Sequence, residues 1–161
     1  MSARTPGAPE PRERRGDLRL GCDVASADDV AASIATFGDR YLDRVFTWVE
    51  RAESHDDPAR LAARFAGKEA VLKVLRPRPT DAVGLHDVAV VHDDRGAPTV
   101  ELSGGAARLA VEQGLGHVVI SLSHERGVAV AIAACRVQRP RRSIFLGVTL
   151  PLWITRTTSP R

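Results

Sequence analysis

The chain has 161 residues, about one domain's worth; 43% are hydrophobic but only 4% aromatic, so a core must be built from Ala, Val, Leu and Ile. The net charge of +3 sits in the ends: residues 1–16 hold four Arg against two Glu, residues 136–161 hold six Arg and no acid, and residues 17–135 are left at −5. An acidic centre argues against a nucleic-acid groove built into the fold, no apolar run approaches the ~20 residues that span a bilayer, and the start lacks the apolar centre of a secretory signal, so a cytoplasmic protein without a membrane segment is expected.

Residues 1–16 are polar and proline-rich and read as a disordered lead. "LRLGCDV", 18–24, alternates and reads as a strand. Ser26 caps the helix that follows and Gly38 stops it, with "DRYLDRVF" continuing as a helical segment. Thr47 and Glu50 stand at capping-box spacing, which starts another helix. Asp57-Pro58 is a cap followed by a first-turn proline. It opens the longest helix, 58–75, which Pro77 and Pro79 end. "HDVAVVHD" and "TVELS" are strands around the turn "DRGAP". "GGAARLAVEQG" is a short helix closing at Gly114, and "HVVISLSH" and "GVAVAIAACRV" are strands joined at "HERG". Cys22 and Cys135 match no metal spacing and read as small core residues. Beyond 140 an apolar run broken by Pro151 and flanked by arginines reads as a tail. The order predicts an α+β domain over 17–137, a small antiparallel sheet packed against a long helix. A lead of 1–16 and a basic tail of 138–161 flank it.

The long helix carries the chemistry. Leu61, Phe65 and Leu72 make an apolar stripe, extended by Ala62 and Ala66. Glu69 and Lys73 stand four apart. Alone, they make a surface salt bridge worth a few tenths of a kcal/mol. A functional reading needs a second acid, because Mg²⁺ takes oxygen ligands and is held by one or two carboxylates plus a substrate phosphate. Asp23, beside Gly21 at the end of the first strand, is the candidate; alone it serves equally as a turn residue or cap. Lys68 and Lys73 then offer point charge to phosphates. Ser123 and His124 lie at a tight bend. Neighbouring strand side chains point to opposite faces, so they make no nucleophile–base pair by themselves. They are either a polar turn or a ligand contact.

Together these stretches resemble the 4′-phosphopantetheinyl transferase superfamily, and within it the small holo-acyl-carrier-protein synthase group. The residues that carry the resemblance are "GCDV" (21–24), "FTWVE" (46–50), "RFAGKEAVLK" (64–73) and "ISLSHERGVAVAIA" (120–133). It covers about 17–137. It implies transfer of 4′-phosphopantetheine from coenzyme A to a serine of an apo acyl carrier protein, with release of adenosine 3′,5′-bisphosphate. It also implies Mg²⁺ on Asp23 and Glu69, with the pyrophosphate completing the shell, and Glu69 and Lys73 as catalytic residues. Lys68 and Lys73 would touch phosphates, Ser123 and His124 would line the coenzyme A site, and the chain would form a homotrimer with sites between subunits. A catalytically weakened relative, serving as a binding or assembly module of a fatty-acid or polyketide system, is the alternative. The general base for the serine hydroxyl is left open.

The chain departs from the family pattern in two places. "VLRPRPTDAVG" follows Lys73 where relatives place a small-residue glycine loop, and Asp28-Asp29 stand where relatives tend to carry arginine. Arg40 and Arg44, four apart, form a smaller basic patch for an acidic carrier protein, or else pair with Asp39 and Asp43.

Overall fold

A computed structural model of the chain describes residues 17–138. The expected lead, and the tail beyond Gln138, lie outside the described residues. In chain order the elements are β1 (Leu18–Ser26), α1 (Ala27–Phe37), α2 (Asp39–Val45), α3 (Trp48–Ser54), α4 (Pro58–Leu75), β2 (Val88–His92), β3 (Pro98–Leu102), α5 (Gly104–Glu112), β4 (Val119–Glu125) and β5 (Val128–Arg136). The fold is α+β, as expected, with the antiparallel strands in two sheets: β1-β5-β4 and the hairpin β2-β3. Among the described residues no helix is long and apolar enough to cross a membrane.

The helix ends follow the sequence signals. Ser26 Oγ accepts from the Asp29 amide, and Asp57 accepts from the Arg60 amide in front of Pro58. The Thr47–Glu50 capping box forms in both directions. Gly38, at φ 55, separates α1 from α2, a left-handed turn that a side chain would resist. Residues 76–87 hold two short 3₁₀ turns, Pro79–Asp81 and Leu85–Asp87, where the sequence suggests only loop.

Helix α4 lies on the inner face of the three-stranded sheet through small residues. Ala66, Ala70, Ala129, Ala131 and Ala133 are fully buried in one core with Val71, Val74 and Leu75. The closest approach is at Gly21, where a Cβ would lie 2.0 Å from the Ala70 carbonyl oxygen. Gly67 makes a second close approach, to Val90 and Ile120, at 3.0 and 3.1 Å from the place of its missing Cβ. The C-terminal end of α4 is held by polar contacts. Arg19 donates to the Val74 carbonyl at 3.2 Å, Gln113 donates to the Leu75 carbonyl at 2.8 Å, and Arg19 also donates to Gln113.

Among the described residues nothing covers the outer face of this sheet. Leu18, Leu20 and Val24 on β1, Val128 and Ile132 on β5, and Val119 on β4 are exposed large apolar residues. Cys22 shares that face and is exposed, so only Cys135 is the core residue expected. Alternation explains the difference: Cys22 has the parity of Leu20 and Val24.

Gly21→Ala should drive a methyl group into the Ala70 carbonyl. The expected cost is about 1–3 kcal/mol, seen as a lower urea midpoint with an unchanged slope. A wild-type midpoint would mean that α4 can move off the sheet freely.

Candidate active site

The contact at Gly21 places the end of β1 beside the C-terminal half of α4. Asp23 lies two residues beyond Gly21 on the same face of the strand. Lys73 Nζ donates to Asp23 Oδ1 at 2.6 Å and to the Cys22 carbonyl at 2.8 Å. The Lys73 side chain is half exposed and the Asp23 side chain is 19% exposed, so this pair forms the wall of an open site. Glu69, one turn before Lys73, is half-buried. Burial, and after it the charge of Asp23, pushes the Glu69 carboxyl upward, while Lys73 draws it back. The hydrogen bond with Asp23 raises Lys73 in turn. Asp23 on β1 and Glu69 and Lys73 on α4, far apart along the chain, are thus brought together as the sequence predicts.

A half-buried carboxyl raised by burial and by a second carboxylate beside it is a place where a cation would offset charge. Both offer only oxygen, the donor that Mg²⁺ takes. Among the described residues no group of three or more His, Cys, Asp or Glu gathers as a cage. Asp23 and Glu69 therefore fit an ion whose remaining ligands are water or substrate.

Lys68 is not part of this site, and its expected role on phosphates is corrected. It is fully buried, on the side of α4 turned away from solvent. Its ammonium pairs with Glu50 Oε2 at 2.7 Å and donates to the carbonyls of Val88 at 2.6 Å and Leu85 at 3.0 Å. Burial lowers its pKa and Glu50 opposes that shift. Lys68 and Glu69 are adjacent, about 100° apart around the helix, so only one of them can face the site. Sequence reasoning misses Glu50 as a charge partner because the capping box already accounts for it. Arg64, which opens the same motif, is also buried, paired with Glu53 at 2.9 Å.

Ser123 and His124 are exposed near the end of β4 and point to opposite faces. The register sets Ser123 opposite Val130, on the uncovered apolar face, and His124 opposite Ala129, on the face shared with Asp23. Strand β5 lies between them and β1, a separation of about 10 Å. Among the described residues no hydrogen bond links either side chain to Asp23, Glu69 or Lys73. One chain alone does not bring them to the carboxylates.

The basic patch is also clearer. Asp39, Asp43 and Asp56 all turn to Arg51, at 2.9, 2.5 and 3.0 Å. The expected alternative, pairing with Arg40 and Arg44, is not what forms. Both arginines are exposed.

A small α+β domain with a carboxylate pair and a lysine beside an open face is a frame for phosphate and cation chemistry. The chain matches the family model ACPS, 4′-phosphopantetheinyl transferase superfamily, over residues 19–133. It is 40% identical over 119 residues to the holo-[acyl-carrier-protein] synthase of Desulforudis audaxviator, covering 72% of this chain and 90% of that one. It is 36% identical over 115 residues to the synthase of Halorhodospira halophila, covering 70% and 91%. The solved Chronobacterium ammoniagenes ACPS–CoA complex has the same fold, with a TM-score of 0.67 and 27% identity over 76% of this chain and 99% of that one. The chain belongs to the 4′-phosphopantetheinyl transferase superfamily.

The raised Glu69 pKa has a consequence for stability. Its share of stability is full below the ordinary carboxylate value and is lost as pH rises through the raised one. Without metal, Glu69→Gln should therefore unfold at an equal or higher urea concentration at pH 7. That small advantage should shrink as pH falls toward about 4.3, the ordinary Glu value. A variant less stable at pH 7 would contradict the environment described.

Proposed function

We infer that the chain is a holo-[acyl-carrier-protein] synthase, which transfers 4′-phosphopantetheine from coenzyme A to a serine of an apo acyl carrier protein. The observation that carries this is the meeting of Asp23, Glu69 and Lys73 in a chain 40% identical over 119 residues to a synthase of that name. A weakened binding module would have no need of all three.

In this reading Asp23 and Glu69 hold Mg²⁺, which when bound supplies neutralising charge at the pyrophosphate. The serine oxygen bonds to the β-phosphorus as the pyrophosphate P–O bond breaks. Adenosine 3′,5′-bisphosphate leaves, and the serine proton passes to a base. Lys73 has two roles open to it. It sits on Asp23 in the free chain; were Asp23 to hold a cation, the half-exposed Lys73 ammonium would be free to meet a phosphate. Positioning and charge neutralisation, rather than covalent help, are what such a transfer asks of the protein.

The uncovered face of β1-β5-β4 suits a neighbouring copy. Ser123 shares that face and His124 follows it near the end of the same strand, so a homotrimer would bring both to a site between subunits, lining the coenzyme A pocket. Light scattering should then report three chains per particle, and a monomer at micromolar concentration would contradict it. Exposed Arg40 and Arg44 offer the charge that an acidic carrier protein needs. A cytoplasmic place in fatty-acid synthesis belongs to the same reading.

The test is mass spectrometry of an apo carrier protein after incubation with coenzyme A and Mg²⁺. The wild type should add one phosphopantetheine. Asp23→Asn and Glu69→Gln should each slow transfer by at least ~100-fold at limiting Mg²⁺, the loss expected when one of two charges on the ion is removed. Near-normal turnover in both would sink the assignment.

A further inference from the structure

We propose that Glu50 and Lys68 are positioning residues: their buried pair fixes the rotation of α4 about its axis and so aims Glu69 at Asp23. The proposal rests on the metal reading of Asp23 and Glu69 given above.

The pair is a clasp between elements. All three Lys68 protons are directed, to Glu50, to the Val88 carbonyl at the start of β2, and to the Leu85 carbonyl just before it. Glu50 Oε1 accepts from the Val90 amide at 2.9 Å. Its Oε2 accepts from the Thr47 amide and hydroxyl at 2.8 and 2.9 Å. The start of α3, the strand β2 and the middle of α4 are thereby joined through two side chains that are both 0% exposed. The Phe46 ring closes the pocket, 5.9 Å from the ammonium.

On the sheet side the directional hold nearest Glu69 is the half-exposed Lys73 ammonium on Asp23 and the Cys22 carbonyl, the same groups the proposed ion and phosphate would engage. There Ala66, Gly67 and Ala70 meet the sheet. Small side chains permit close approach but resist rotation weakly, because they give no directional bond and little interdigitation. The clasp supplies a restraint that is buried and independent of the groups in the site. The lever is short. A carboxylate roughly 6 Å from the helix axis moves about 1 Å for a 10° turn, and a misplacement of ~1 Å can cost 10²-fold in rate. Burial alone does not require the charges, since a well-packed apolar pair of similar volume is often as stable.

The test is the double variant Glu50→Leu/Lys68→Met in the full chain. It should unfold cooperatively with a urea midpoint near the wild type. Mn²⁺ affinity in the presence of coenzyme A, measured by water-proton relaxation, should fall ~10-fold. The kcat for transfer should fall ~100-fold while KM for coenzyme A stays within ~3-fold. A folded double variant with wild-type Mn²⁺ affinity and kcat overturns the proposal. If that variant does not fold, Glu50→Gln takes its place, with the same measurements and the same expected losses; wild-type values there overturn the proposal equally. Failure of both to fold would show that the pair carries the fold itself, which also overturns the narrower role. A wild-type chain that binds Mn²⁺ but transfers nothing sinks the transferase reading, and the positioning claim is then judged on Mn²⁺ affinity alone.

Discussion

The absence of one methyl group, at Gly21, lets the backbone of β1 touch the backbone of α4. From that contact the site follows. With any side chain at 21 the two elements would stand apart, because the Ala70 carbonyl already occupies the space. Held close, they bring Asp23 within 2.6 Å of the Lys73 ammonium and within electrostatic reach of Glu69. Alanines on both sides extend the same closeness along the helix.

The helix carries charge on two sides, for opposite purposes. Toward solvent, Glu69 and Lys73 remain half-buried or exposed, and each shifts the other's protonation. Toward the core, Lys68 is sealed in with Glu50, and buried Arg64 pairs with the partly exposed Glu53. Buried ions are costly unless their lone pairs and protons are used, and the Lys68 ammonium and both Glu50 oxygens have partners. The contrast separates chemistry from architecture along one short motif. Of the open acids, Glu69 is raised by burial and by Asp23, whereas the buried acid, Glu50, is already paired with Lys68.

Much of this is legible in the sequence, for local reasons. The caps at Ser26, Thr47 and Asp57 and the stop at Gly38 are short-range rules, and the helix 58–75 appears with the bounds its cap and prolines predict. Asp23, Glu69 and Lys73 stand out because a motif joins them. The role of Lys68 is not legible, because the motif sets it beside Glu69 and Lys73 in sequence, and only the packing of α3 and β2 shows that it is covered. Proximity in sequence assigns Asp39 and Asp43 to neighbouring arginines; the structure gives them to Arg51, 12 and 8 residues away. Cys22 reads as core because its type favours burial, but strand parity places it outward.

Two placements bear the most weight: that of Lys68, sealed in the core, and the one proposed for the ion, on Asp23 and Glu69. A crystal structure with Mn²⁺ and coenzyme A, read by anomalous scattering, tests both at once. The predicted result is one Mn²⁺ peak bound by Asp23 and Glu69 and by the pyrophosphate, with the Lys73 ammonium on a phosphate and Lys68 still on Glu50. A peak elsewhere, or a Lys68 ammonium withdrawn from Glu50 onto a phosphate, would contradict it.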